Sequence, residues 1–394
     1  MTAATRSQLD PADIEQFGVE LDDIYQSTIA DLGQRDEQYI KRLIRFQRSL
    51  ALGSRVAILA GAALRPRGFA GRKTGVGGHR PGTALLGLGA VGLGLAKILE
   101  NMEIGHNVMH GQWDWMNDPQ INSTVWEWDT VASADHWKHG HNIVHHTWTN
   151  VLGMDRDIGY EIMRTRSAQR WNPAYLAQPI YNTLLAVLFE WGVGVHEVDL
   201  EKLATGTRQE RAVELRTFRA FLRKARRQVA KDYVLWPALA GPGFLTVAAA
   251  DAVANVIRNL WSYMIIFCGH FPDDVHVFAR RDIENETRAD WYIRQILGSA
   301  NITGRPIFHV LAGNLSHQIE HHLFPDMPSL RYQRVAPRVQ ALCTRYGLPY
   351  NSHPLRRQFG TTTRKIWRYS LPGGQDATPK ISTPPLSSRA GAST

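Results

Sequence analysis

Eight histidines fall in three short runs of similar spacing, and the chain can use that pattern only by folding three distant segments onto one place. The runs are HNVMH, with His106 and His110; HNIVHH, with His141, His145 and His146; and HQIEHH, with His317, His321 and His322. Residues four apart on a helix lie on one face about one turn apart, so each run can offer two imidazoles to one ion. In the second and third runs the next histidine is rotated by about 100° and can face a second ion. Imidazole suits iron, zinc, copper or nickel, whereas magnesium and calcium want oxygen ligands that the runs lack. The pattern predicts a two-metal centre with oxidative chemistry. A single helical histidine is more often a surface or satisfied core residue, and outside the runs (His79, His136, His139, His196, His270, His276, His309, His353) the pattern fades.

What surrounds the runs depends on hydropathy. Charge-free stretches cover Val56 to Leu64, Pro81 to Ala96, Trp171 to Phe189, Val234 to Ala250 and Asn259 to Pro272. Most are shorter than the ~20 apolar residues of a confident membrane span. Their composition favours a membrane: TALLGLGAVGLGLA, residues 83–96, is apolar on every face and rich in glycine, as where membrane helices pack closely. The best candidates show no ionisable residue deep inside, so the histidines are expected where helices emerge into water. The expected fold is an all-α integral membrane protein of about four transmembrane helices, near 50–64, 81–99, 171–195 and 234–270, under a cytoplasmic helical cap that holds the histidines. A membrane domain over 48–370 follows a charged N-terminal segment, 1–47, which carries no cleavable signal and should stay cytoplasmic. Residues 371–394, rich in Pro, Ser, Thr and Gly, are expected to be a disordered tail.

The net charge of +9 is concentrated between Arg208 and Lys231, where nine basic residues face two acidic ones and apolar residues recur at helical spacing. The reading is a basic amphipathic helix, 208–231, on an anionic membrane surface; a basic face packed on the protein itself is the alternative, and no motif supports nucleic-acid binding. Keeping this segment inside makes 171–189 re-entrant or interfacial and folds Val234 to Cys268 as a hairpin, although no strong turn signal lies near Asp251. Cys268 and Cys343 form no CxxC motif and suggest neither a disulfide framework nor a zinc site. Eight of the twelve tryptophans lie between Trp113 and Trp191, as an interfacial belt or a tunnel lining, the belt preferred.

The three runs resemble the histidine boxes of the membrane fatty acid desaturase family in order, type and separation. The similarity covers about His106 to Pro325 and includes HNVMHGQWDWMNDP, TNVLGMDRD, IRNLWSYMIIFCGHFPD and LFPDMP; in lacking a fused electron-transfer domain the chain is similar to the mycobacterial-type acyl-CoA desaturases. The resemblance implies a non-haem di-iron enzyme that uses O2 and two electrons to place a cis double bond in a fatty acyl chain. It implies ligation by His106, His110, His141, His145, His146, His321 and His322, and adds His270 of CGHFPD. The third box can be read from His317 or from Gln318, and imidazole chemistry favours His317. Asp155, Asp157 and Glu320 are candidates to orient the ligands, and Arg156, Arg258 or the basic segment to hold a CoA headgroup. Electrons are expected from NADPH through a separate flavin or iron-sulfur reductase, since no HPGG motif marks a fused cytochrome domain. The substrate is an acyl-CoA or acyl-lipid, with Δ9 insertion into stearoyl-CoA preferred over front-end Δ6 chemistry, and the location is the bacterial plasma membrane with the site facing the cytoplasm. A di-iron membrane hydroxylase and a metal transporter are the rival readings, the latter disfavoured by spans without ionisable groups.

Overall fold

The apolar stretches become the frame that carries the histidines. The computed structural model describes residues 9–65, 80–166 and 169–373, so His79 and residues 374–394 of the expected tail lie outside the described residues. Helices α1 (Pro11–Ala30) and α2 (Gln34–Leu64) lead into α3 (Arg80–Ile98). Short helices α4 (Gln178–Val187) and α5 (Phe189–His196) follow the second histidine run. They precede the long α6 (Arg208–Ala230) and α7 (Phe244–His270). Further along the chain come α8 (Arg288–Leu297), α9 (Gln318–Leu323), α10 (Tyr332–Arg345) and α11 (Leu355–Ser370), with shorter helical turns between the named helices. Among the described residues the chain is mostly helical, and three-residue strands β1 (Asn301–Thr303) and β2 (Ser352–Pro354) pair in parallel.

α2 and α3 pack antiparallel, and the glycines of α3 explain how closely. A Cβ at Gly89 would sit 2.7 Å from Ile58 Cγ1 and 2.8 Å from the carbonyl oxygen of Ser54, so only glycine lets the two backbones approach. α2 runs unbroken through residue 47, joining the charged N-terminal segment to the apolar one. A second hairpin packs beside the first, with Ile58, Leu86, Leu93 and Val247 in a shared core. Its first arm is α6, prolonged through a π-helical turn (Lys231–Leu235) and a last short turn (Trp236–Ala238). The bend lies at Gly241–Gly243, where Gly241 takes φ +52°, and not near Asp251; Gly-Pro-Gly supplies the reversal. Among the described residues two stretches, Pro81–Met109 and Gly241–His270, are long and apolar enough to cross a membrane.

Residues 171–195 form no single span. A 3-10 turn, α4 and α5 divide them, with a break at Leu188. Ile180, Leu184 and Leu188 are exposed while Leu185, Ala186 and Phe189 are buried, which is the pattern of short amphipathic helices. Residues 208–230 form one helix, with Leu215, Leu222 and Val229 exposed along one stripe, and Lys224 and Lys231 are engaged by Glu127 and Asp129.

The expectation that the apolar helices lack deep ionisable groups is contradicted. Lys97, Asp251 and Arg258 lie within them, all buried. Asp232 accepts from Arg55 at 2.6 Å and Lys97 at 2.7 Å, and Arg55 also meets Asp251 at 3.2 Å, so two cations and two anions neutralise one another between four helices. The partners are far apart in sequence, which hid the pairing.

The histidine-bearing end is built by a separate core. Phe17 and Leu21 of α1, Tyr292 and Ile293 of α8, Ile319 of α9 and Val335 of α10 belong to one buried cluster. That cluster carries α9, and with it His321 and His322, toward the ends of α3 and α7.

Candidate metal centre

The histidine runs converge, but through a different backbone from the regular α-helix that their spacing suggests. α3 passes into a π-helical turn over Leu99–His106, and the second run is π-helical over His139–His145. A π turn closes i→i+5 bonds and shifts side chains from the α register, and such turns gather at functional sites. The rings of His106 and His110 still lie 4.6 Å apart, and those of His141 and His145 5.1 Å.

Two groups result. Nitrogens of His106, His110, His141 and His321 lie within 4.8 Å of one another, as do those of His145, His270 and His322. His146 stands between them, its ring 4.8 Å from those of His110 and His321 and stacked at 4.4 Å on His322. His270, at the end of α7, thus joins the site although no spacing in its own segment announces it.

The third run divides. His317 does not occupy the helix of His321; it caps α9 with φ −102°, ψ 56°, so the four-residue spacing does not place it on the same face. Its ring stacks 4.5 Å from His309. Gln318 is the residue that reaches the second group, with Nε2 2.9 Å from His270 Nε2. The same divergence separates the carboxylates. Asp155 accepts from His145 Nδ1 at 3.1 Å, and Asp157 lies 3.5 Å from it and 3.2 Å from His196 Nε2. Glu320 turns away, accepting instead from Tyr350 Oη at 2.7 Å and Asn301 Nδ2 at 2.9 Å.

Other residues orient the rings, and sequence reasoning missed them. Asn107 Oδ1 meets His106 Nδ1 at 2.9 Å, and Asn107 Nδ2 is held by the fully buried Glu103, which also accepts from Tyr39 and Ser329. His322 Nδ1 meets Gln295 Oε1 at 3.1 Å and Thr149 Oγ1 at 3.2 Å. Only Asn107, inside the first run, had a local signal. Trp113, Trp128 and Trp137 are buried, and Trp137 stacks on His141 at 4.5 Å, against the interfacial-belt reading of this group.

The donor set fits metal cations. His110 Nε2, His141 Nε2, His270 Nδ1, His321 Nε2, both nitrogens of His146 and Gln318 Oε1 are buried without a hydrogen-bond partner among the described residues. Each such atom costs about 1–3 kcal/mol if nothing satisfies it, so this many together call for ligands. Burial, reinforced by neighbouring rings, holds His110, His146, His321 and His322 well below the usual histidine range, which leaves lone pairs free to bind. His145 differs: burial opposes its charge, but Asp155 and Asp157 outweigh that and raise it to about 9. A carboxylate on Nδ1 is the usual device for fixing a ligand histidine. Asp155→Asn is expected to weaken metal binding about 10- to 100-fold, read by competition with a chelator.

A cavity of about 440 Å³ runs along the centre, touching His106, His141, His145 and His270. Its walls include Trp128, Trp137, Val193 and Ile266, and Arg156, Lys202 and Arg216 line it where it nears the surface.

The comparisons with known proteins agree on one family. The family model described as fatty acid desaturase matches residues 81–354. A protein of Mycobacterium tuberculosis named NADPH-dependent stearoyl-CoA 9-desaturase is 45% identical over 370 residues, covering 93% of this chain and 82% of that one. The sn-1 linoleoyl-lipid 6-desaturase of Arthrospira platensis is 25% identical over 284 residues, covering 68% of this chain and 73% of its own. Fatty acid desaturase 3 of Bos taurus is 36% identical over 113 residues, 29% of this chain and 23% of that one.

Proposed function

The chain belongs to the fatty acid desaturase family, and from that premise we propose that it inserts a cis Δ9 double bond into stearoyl-CoA at a di-iron centre fed by a separate NADPH-dependent reductase. The observation that carries this is the convergence of seven imidazoles in two groups beside an apolar cavity. Bacterial plasma membrane is the proposed location, with α2, α3, the end of α6 and α7 crossing the bilayer and the histidines at its cytoplasmic face. The exposure of Leu88 (71%) and Leu245 (80%) on these helices supports that reading.

The proposed ligands are His106, His110, His141 and His321 for one iron and His145, His270 and His322 for the other, with His146 between them and Gln318 completing the second site directly or through water. Two irons held there would supply the O2-dependent chemistry; the overall reaction takes two hydrogens from adjacent methylenes and, with two electrons and two protons, reduces O2 to two waters. The protein's own residues do the rest. Arg156, Lys202 and Arg216 offer charge-assisted hydrogen bonds to the phosphates of CoA. Trp128, Trp137, Val193 and Ile266 hold the chain against the histidines and keep water away. A cavity of about 850 Å³ lined by Arg357 and Arg364 reaches His270 from another side and is a fitting approach for an acidic electron donor.

The His317 preference reverses in this account. Iron content is expected to survive His317→Ala and to fall on Gln318→Ala, as measured by metal analysis of the purified variants. The reaction itself is tested with stearoyl-CoA, NADPH and O2: turnover is expected only when a reductase is added, with the product double bond at Δ9 by mass spectrometry. Turnover without a partner removes the separate reductase, a Δ6 product favours front-end chemistry, and an alcohol favours the hydroxylase. The transporter reading falls with the family membership, and the buried charges once expected to mark it are paired with one another.

A further inference from the structure

We infer that the buried Arg258–Glu190 ion pair is the floor of the acyl cavity and sets the longest chain the enzyme accepts. The inference rests on the acyl-CoA reading above and assigns a role to two residues that the metal centre does not use. Both line the cavity, with Arg258 1% and Glu190 8% exposed.

Two walls place the pair at the far end from the charged mouth. On α7, Arg258, Ser262, Ile266 and His270 all face the cavity at four-residue steps, one side of one helix. The twelve residues from Arg258 to His270 correspond to about 18 Å at the α-helical rise. On α5 and beyond, Glu190, Val193, His196 and Lys202 face the same cavity in order, from the ion pair, past the Asp157 contact of His196, to the mouth. The α5 wall thus runs from the mouth past the His196 contact to the ion pair, and the α7 wall from the His270 ligand to the same pair.

The pair is held rigidly. Arg258 Nε donates to Asn259 Oδ1 at 2.9 Å and Nη1 to Asn101 Oδ1 at 3.3 Å, while Glu190 Oε1 accepts from the Val131 backbone N–H at 3.1 Å. Four chain segments therefore fix its position. A methyl end pushed against it must separate two desolvated charges, which is far costlier than filling an apolar pocket. Arg258, which sequence reasoning considered for the CoA headgroup, sits instead with the opposite end of the substrate.

The test measures chain-length profiles of the full-length protein with added reductase on acyl-CoAs of increasing length. Glu190→Leu combined with Arg258→Met removes both charges at similar volume, the form of replacement that buried pairs tolerate best. The turnover of the twenty-carbon substrate relative to stearoyl-CoA is expected to rise about tenfold. The double bond should keep its position from the carboxyl end, a result that mere loosening of the fold would not produce. Ser262→Phe, one turn above the floor with the pair intact, should shift preference toward palmitoyl-CoA. If the double variant does not accumulate, the Ser262→Phe profile decides alone. An unchanged profile in a variant that turns over, or loss of all turnover in Ser262→Phe with iron retained, overturns the floor. Failure of the wild-type protein on every acyl-CoA overturns the substrate reading instead.

Discussion

Replacing His145 with alanine is expected to lower desaturase turnover by at least about a thousandfold, since in the proposed reading the metal would carry the C–H chemistry and the protein supply its setting. His145 is chosen because it belongs to the smaller group, with His270 and His322, where losing one imidazole leaves two. It is also the ring gripped by Asp155, so its removal takes away a ligand position and that carboxylate's imidazole partner, leaving Asp155 the backbone N–H groups of Asn150 and Asp157. The variant should retain the circular dichroism of the wild type, because the hydrophobic cluster that carries α9 lies around α1, α8 and α10. It should bind fewer than two irons. Full activity in His145→Ala would remove the second site from the account.

Asp232→Ala is expected to give the largest loss of stability, about 3–5 kcal/mol, the usual cost of stranding a buried charge. Arg55 and Lys97 both end on Asp232, and their side chains are 8% and 6% exposed, so neither can turn to solvent when it is gone. Asp251 remains on Arg55 at 3.2 Å and compensates only one of the two cations. Thermal unfolding of the detergent-solubilised protein reads the effect, and a midpoint that does not move would show that the four helices do not depend on this pairing. Unlike His145→Ala, this variant should keep its metal-binding residues intact, so the two predictions separate chemistry from scaffold.

Which features were legible in the sequence follows from how local their causes are. The convergence of the histidines was legible because spacing within each run is local and three matching runs have few other uses. The Gly-rich approach of α3 to α2 was legible for the same reason: small residues recurring over residues 83–96 have a direct packing consequence, seen at Gly89. The parting of His317 from His321 has a backbone cause. Gly313 and Asn314 both take positive φ, 68° and 53°, so the chain reaches His317 from a turn and begins the helix only at Gln318. Periodicity counted across that turn assigns the wrong face. The charges inside the apolar helices were misread because their neutralising partners lie 177 and 196 positions away for Arg55 and 135 for Lys97, beyond any window of local pattern. The stretch from 171 to 195 has the composition of a span but breaks at Leu188, and its burial is one-sided. Glu103 and Gln295, which steady His106 and His322, are ordinary polar residues until the fold brings them beside the rings.

The most direct measurement is an anaerobic titration of metal-free protein with ferrous iron, followed by the stearoyl-CoA assay with reductase at each point. Activity is expected to rise with added iron and level off at two irons per chain, with His145→Ala binding fewer and remaining inactive. Full activity at one iron per chain, or activity without iron, would contradict the di-iron centre.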